Sequence, residues 1–422
     1  RFGIVPKRIK ELQSELEGLN HQNNMTNLTQ QITYKERELD ELLECEEMWW
    51  SQRIKDSQGN FQTEHDQIES IFLTYFQDLF QSQQTYNVRE TVEVVKDKIT
   101  PAMAEYLSMD FREDDVIQAI KDMKGLAAPG PDGLSALFYH NYWDIVGKDV
   151  IKEALNVLNS EGDPKPLNHT NICLIPKTNN PNSPSDFRPI SLCNVTLKII
   201  TKTIANRIKA ILPETISQNQ SAFIPGRLIT DNTLIASEIF HYFHQTSRKK
   251  GYVGFKTDMA KAYDRVEWDF LRATLESMGF PLKMINTILK CVSTVSFSIL
   301  INGVPSNPFS PQRGLRQGDP LSPYLFIICA NVFSELISKA QSQNLIHGAK
   351  ISNGAPEISH LLYADDSLLF CRANKEEVSV MQNIIDKYQR ASGQLVNIHK
   401  SEMIFSKGVP ENIKGDLHQI MP

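Results

Sequence analysis

Apolar positions recur every three to four residues over long stretches of the chain and every second residue over shorter ones, which divides it into helices and strands. Ile9, Leu12, Leu16 and Leu19, then Leu28, Ile32, Leu39 and Leu42, form two stripes separated by the polar residues 21–26. They predict an antiparallel helical hairpin, each stripe covering the other. Ile68, Ile71, Phe72, Tyr75, Phe76 and Leu79 predict an amphipathic helix over 63–80. Another starts near Asp110, where Asp114 and Asp115 favour a helix N-terminus electrostatically, and stops at Gly125.

Beyond Gly125 the texture changes. Pro129-Gly130-Pro131-Asp132-Gly133 is a rigid turn cluster, its prolines fixing φ and its glycines free to take positive φ. A helix is predicted over 134–160, a loop over 162–168, a short strand over 171–176 and an amphipathic helix over 195–212. The Lys198, Lys202, Arg207 and Lys209 side chains of that last helix read as a solvated face. Residues 252–258 alternate as a strand, with Val253 and Phe255 on one face and Asp258 on the other, at the strand's end. Helices are predicted over 267–278 and 324–339, and residues 360–370 read as a β-hairpin, two apolar runs flanking a short polar turn.

Composition adds limits. The 422 residues are 41% hydrophobic and 22% charged, which excludes a disordered, collagen-like or low-complexity chain and predicts two or three domains. The 44 basic and 50 acidic side chains give a net −6, which on its face disfavours a nucleic-acid partner. Counted by segment the picture reverses. Residues 1–124 carry 14 basic and 24 acidic groups, whereas residues 165–316 carry 19 and 9. The longest nearly uncharged apolar stretch, 321–333, contains a proline and an asparagine and is too short to span a bilayer. Residues 1–10 have neither a signal-peptide core nor an initiator Met, so the chain is expected to start within a longer product that works inside the cell, in nucleus and cytoplasm. Six scattered cysteines with no CxxC pair predict reduced core thiols, and no repeat of solenoid period occurs.

Tyr363-Ala364-Asp365-Asp366 places two repelling carboxylates at a hairpin tip, where they serve no core. Alone they make an ordinary exposed turn. Asp258 changes the reading. If its strand lies beside the hairpin, Asp258 and Asp365 can share a pair of Mg²⁺ ions about 3.5–4 Å apart, the arrangement used in phosphoryl transfer. In Arg316-Gln317-Gly318-Asp319-Pro320-Leu321-Ser322-Pro323, Gly318 permits close backbone approach to a ligand, and the following helix start suits a phosphate. The same loop also reads as the start of a buried helix.

Taken in order, these motifs resemble those of reverse transcriptases, and more narrowly those of LINE-type (non-LTR) retrotransposons, plant ones in particular. The resemblance rests on Asp258 with Ala262-Tyr263-Asp264, on residues 317–323 and on residues 363–366. It is supported by 129–133, 186–192, Gln220-Ser221-Ala222-Phe223-Ile224-Pro225-Gly226-Arg227, and Gly393-Gln394 followed by Asn397 and Lys400-Ser401. It implies an α+β right-hand polymerase fold: an acidic helical N-terminal extension over 1–124, fingers over 125–250, and a palm over 251–408 whose antiparallel sheet is backed by helices. Residues 409–422 would open the following region, with the thumb missing. The implied reaction is addition of dNTPs to a DNA primer 3′-hydroxyl on an RNA template, with two Mg²⁺ ions (Mn²⁺ as a substitute) and no membrane. Asp258, Asp365 and Asp366 would be the catalytic metal ligands, Asp366 the least direct. Tyr263 would screen the 2′-hydroxyl and Arg188 would contact the triphosphate. Gln317 and Gly318 would line the nucleotide and template site, and Lys400 would lie where a proton reaches departing pyrophosphate. Two departures are visible: Ala127 and Ala128 stand where the family carries a lysine, and the join near 50–54 lacks a basic segment, which predicts an internal deletion there. The alternatives on the same fold are a catalytically dead remnant that binds RNA and an intron-maturase-like splicing cofactor.

Overall fold

The structure, a computed structural model, describes Glu15 and residues 54–421 apart from 57, 126 and 248–250. The predicted helical hairpin over 9–42 (apart from Glu15), Cys45 and residues 49–53 of the predicted deletion site lie outside the described residues. The strands among the described residues are β1 (Ile54–Lys55), β2 (Phe61–Gln62), β3 (His169–Pro176), β4 (Phe187–Cys193), β5 (Tyr252–Thr257), β6 (Ser296–Ile301), β7 (Val304–Pro305), β8 (His360–Tyr363), β9 (Asp366–Arg372) and β10 (Glu402–Phe405). With the helices between them they make the α+β fold expected.

The chain divides into two units. In the smaller, β1 pairs antiparallel with β2, and Lys55 N donates to the Asn182 carbonyl at 2.9 Å. Phe72 meets Phe187 edge-on at 5.4 Å. Asp186 accepts the backbone N–H groups of Asn182 and Ser183, both at 2.9 Å, which holds its carboxyl below the usual range.

The larger unit is organised around an antiparallel sheet ordered β10-β5-β9-β8. Period-two alternation sends its side chains to two cores. Val253, Phe255, Leu362, Leu369 and Cys371 join the main cluster, which includes helices Ser322–Ser342 and Lys375–Ser392. Leu361 and Phe370 join a second cluster with Ile239 and Phe243 of helix Ile229–Gln245. A sheet buried on both faces reaches solvent only at its edges and ends. In the same unit, His169–Ile172 of β3 run parallel to Ser296–Ile299 of β6.

The structure departs from the sequence pattern at two places. The helix expected over 134–160 is two helices, Ala136–Asn141 and Trp143–Asn159, broken at Tyr142 with φ −113° and ψ 22°. The first is pinned by a 3.0 Å hydrogen bond between the Tyr139 hydroxyl and Thr196 Oγ1, while the Tyr142 ring folds back to 5.2 Å from Phe138. The solvated face of helix Val195–Lys209 is only partly so. Lys209 is exposed, but Lys198 is buried and donates to the Ala128 carbonyl at 3.2 Å. Arg207 is buried over the Phe111 ring, donates to the Met109 carbonyl and pairs with Asp115 at 3.2 Å. Backbone carbonyls and a carboxylate satisfy these cations, which is why burial is tolerated.

Helix Ser322–Ser342 is long and apolar enough to cross a membrane, yet its Leu325, Phe326, Ile327, Ile328 and Cys329 are almost wholly enclosed by the protein core. The five described cysteines are free; Cys193, Cys291, Cys329 and Cys371 are buried core thiols, as expected, and burial pushes Cys291 up to about 12, whereas Cys173 is only partly buried.

Candidate active site

The last ladder pair of β5 and β9 is Thr257 with Ser367, so Asp258 follows β5 at the end of the sheet where Asp366 opens β9. β8 and β9 are joined by the two-residue turn Ala364-Asp365, closed by the pair Tyr363 and Asp366. The strand lies beside the hairpin, and all three carboxylates share one end of the sheet. Ala364 has a φ of 55°, a left-handed conformation that suits the first central position of a tight hairpin but costs an alanine about 1–2 kcal/mol.

Asp365 is half-buried. Burial raises its carboxyl above the ordinary value, its own backbone N–H opposes that, and the charges of Asp366 and Asp258 raise it further. Lys400 offers partial compensation, with Nζ 3.5 Å from Asp258 Oδ2. Asn397 secures Asp258 twice: its backbone N donates to the Asp258 carbonyl at 2.7 Å and its side-chain amide reaches Oδ2 at 3.4 Å. Ala260 N donates to the Leu395 carbonyl at 2.8 Å, so residues 395–397 run along the chain that leaves Asp258.

Gly393 and Gln394 explain how that strap is anchored. Gly393 ends helix Lys375–Ser392 with a φ of 78°, and a Cβ there would sit 2.6 Å from Glu267 Cγ, so no other residue fits. Buried Gln394 donates to the Ala262 carbonyl at 3.2 Å and accepts the Tyr388 hydroxyl at 2.9 Å. Tyr263, one residue on, stacks on Phe326 at 4.7 Å. Burial, and then the charge of Asp365, raise its phenol.

The loop 316–319 is built as a buried base with a presented tip. Arg316 and Asp319 pair at 2.6 Å with almost no exposure, and Arg316 also donates to Asn168 Oδ1 and to the Cys291 carbonyl. Between them Gln317 donates its amide to Asp264 Oδ1 at 3.1 Å and accepts Ser191 N on its carbonyl at 2.8 Å. Gly318 is exposed, with a φ of 112°, and a Cβ would crowd the Ser191 carbonyl at 3.0 Å. Arg188 falls in the smaller unit, exposed on β4.

Among the described residues no three His, Cys, Asp or Glu side chains stand close enough to cage an ion by themselves. The donor chemistry nonetheless suits Mg²⁺, which takes one or two carboxylates and completes its shell with water and substrate phosphates. The mutual repulsion around half-buried Asp365 is what a divalent cation would relieve.

Residues 175–414 match the family described as reverse transcriptase (RNA-dependent DNA polymerase). The chain belongs to this family. The reverse transcriptase domain is 27% identical over 297 residues to an uncharacterized 149 kDa protein of transposon TX1 of Xenopus laevis, covering 70% of this chain and 22% of that protein. It is 26% identical over 286 residues to a retrovirus-related Pol polyprotein from a type-2 retrotransposable element of Drosophila melanogaster, covering 68% and 25%. These relatives support the LINE-type assignment. An uncharacterized mitochondrial protein of Arabidopsis thaliana is 56% identical over 68 residues, 16% of this chain and 56% of its own length, a narrow basis for plant affinity. The chain spans between about a fifth and somewhat over a half of the length of these three relatives. Sequence reasoning gave no role to Asn397 or Gln220, although both lie in quoted motifs; their partners are more than 130 residues distant, beyond any local pattern.

Proposed function

We propose that this reverse transcriptase domain copies RNA into DNA, joining dNTPs to a DNA primer 3′-hydroxyl by phosphoryl transfer. The observation that carries the reading is the convergence of Asp258, Asp365 and Asp366 at one open end of the β5–β9–β8 sheet. Asp258 and Asp365 would hold two Mg²⁺ ions, which Mn²⁺ can replace, with Asp366 the least direct ligand. When bound, such ions neutralise phosphate charge and activate the attacking oxygen. Lys400 would keep a proton beside the departing pyrophosphate, and Tyr263, fixed against Phe326, would exclude a 2′-hydroxyl. Gln317 and Gly318 would floor the nucleotide and template site, and Arg188 would bind the triphosphate. On this reading residues 1–124 are an extension, 125–250 the fingers and 251–408 the palm of a right-hand polymerase, acting in nucleus and cytoplasm. Catalysis rests on positioning and charge complementarity.

The test is primer extension by the purified full chain on poly-A RNA with oligo-dT, dTTP and Mg²⁺. Asp365→Asn is expected to lower the rate by about 10²-fold or more, the scale on which removing a transition-state charge partner acts. Extension no greater than that of Asp365→Asn would overturn the reading, and RNA binding that survives without extension would identify a catalytically dead remnant.

A further inference from the structure

The hairpin that carries Asp365 and Asp366 is gripped from outside the sheet by residues 219–222. Leu362 N donates to the Asn219 carbonyl at 2.8 Å, and Ser221 N donates to the Leu362 carbonyl at 3.1 Å, a short parallel extension of β8. Asn232 adds its amide to the same Leu362 carbonyl at 2.9 Å. At the centre of this grip is Gln220, 1% exposed. Its Oε1 accepts two backbone N–H groups, from Ala222 at 2.9 Å and from Ala364 at 3.1 Å. Because both partners are donors, the amide orientation is chemically forced. Its Nε2 is buried with no acceptor within reach among the described residues. A buried amide with one unsatisfied half is unfavourable, so packing alone gives no reason for glutamine here.

We infer that Gln220 is a positioning residue for the candidate active site, setting the left-handed Ala364 turn so that Asp365 meets a divalent cation. The inference rests on the polymerase reading above. Ala364 has no side chain able to stabilise its own φ of 55°, and its N–H is tied through Gln220 to the 219–222 strap. Releasing that N–H frees the turn to relax toward right-handed backbone, which re-aims the next residue, Asp365. Gln220 touches no reacting atom; it acts through the turn.

Gln220→Met keeps the volume and removes both hydrogen bonds, while Gln220→Glu restores an acceptor. Mn²⁺ binding to the full chain, followed by electron paramagnetic resonance, is measured beside kcat and KM for primer extension, with thermal unfolding as the folding control. Gln220→Met is expected to unfold within a few degrees of wild type, to bind Mn²⁺ about 10–100-fold more weakly and to lose kcat rather than raise KM, the range typical of groups that orient metal ligands. Gln220→Glu is expected to recover part of both. Wild-type Mn²⁺ affinity and kcat in a folded Gln220→Met would overturn the inference, as would losses that merely follow unfolding in both variants. A wild-type chain that neither extends primers nor binds Mn²⁺ in a manner sensitive to Asp365→Asn would instead overturn the polymerase reading, and this inference with it.

Discussion

Arg316 and Asp319 sit on either side of the two residues proposed to face the nucleotide, and neither sees solvent. The guanidinium spends its donors on Asp319, Asn168 Oδ1 and the Cys291 carbonyl, so the pair also joins the loop to its surroundings. Breaking such a pair leaves a charge buried without compensation. Arg316→Met is therefore expected to destabilise the protein by about 3–5 kcal/mol, measured by urea unfolding. A loss below about 1 kcal/mol would show that the loop is held chiefly by other contacts. Residue identity made this legible only in part. The Gln317-Gly318 tip was readable from its motif, whereas Arg316 gave no sign that it would be fully enclosed. Lys198 and Arg207 teach the same lesson: charges on a helix wheel look solvated until the carbonyls of Ala128 and Met109, far away in sequence, are placed over them.

At the scale of elements, the strand and hairpin that carry the carboxylates were readable because period-two alternation survives burial on two faces. Val253 and Phe255 go to one core and Phe370 to the other. The break at Tyr142 was not readable, since helical periodicity continues across it. β8 is also tied to helix Ser322–Ser342 by His360, which is fully buried. Its Nε2 lies 2.7 Å from Ser334 Oγ and 3.0 Å from Asn219 Nδ2, and its Nδ1 lies 3.0 Å from Ser359 Oγ. The Asn219 amide nitrogen can only donate, so it needs an unprotonated ring nitrogen, which a neutral imidazole supplies. Burial pushes its pKa down to about 3. The unfolded chain has an ordinary histidine near 6.5 and so binds the proton first. Stability from this group is complete above pH 6.5 and falls as the pH drops from 6.5 toward 3. Between pH 7 and 5 the wild type is expected to lose about 2 kcal/mol more than His360→Gln, read from urea midpoints at both values. Parallel pH profiles would remove His360 from the account.

For the molecule as a whole, net charge and its distribution along the chain point to opposite expectations about a nucleic-acid partner. The −6 total conceals a basic stretch over 165–316 within a chain whose first 124 residues are acidic. If that stretch binds nucleic acid through phosphates, affinity for single-stranded RNA must fall with salt, by about 0.7 log unit per tenfold salt for each contact. Filter binding across a KCl series is expected to give a slope of about −2 or steeper. A flat line would mean that the basic side chains are consumed internally, as Lys198, Arg207, Arg313 and Arg316 already are. The strands that carry the carboxylates were legible in local alternation, while the fold class and the carboxylates' roles came from the resemblance of the ordered motifs. The straps were not, because hydrogen bonds from Gln220 to Ala364 and from Asn397 to Asp258 join residues 144 and 139 positions apart.

Those long spans bear on synthesis. A ribosome working at about 5–20 residues per second delivers Asn397 roughly 7–28 s after Asp258. Throughout that interval the nascent chain has its first carboxylate without the amide that orients it, and the hairpin bearing the other two follows only late in the wait. An interrupted translation product would therefore carry the recognisable motifs of the family and still lack an assembled centre. Only chains translated past Lys400 would contain every group placed around Asp258.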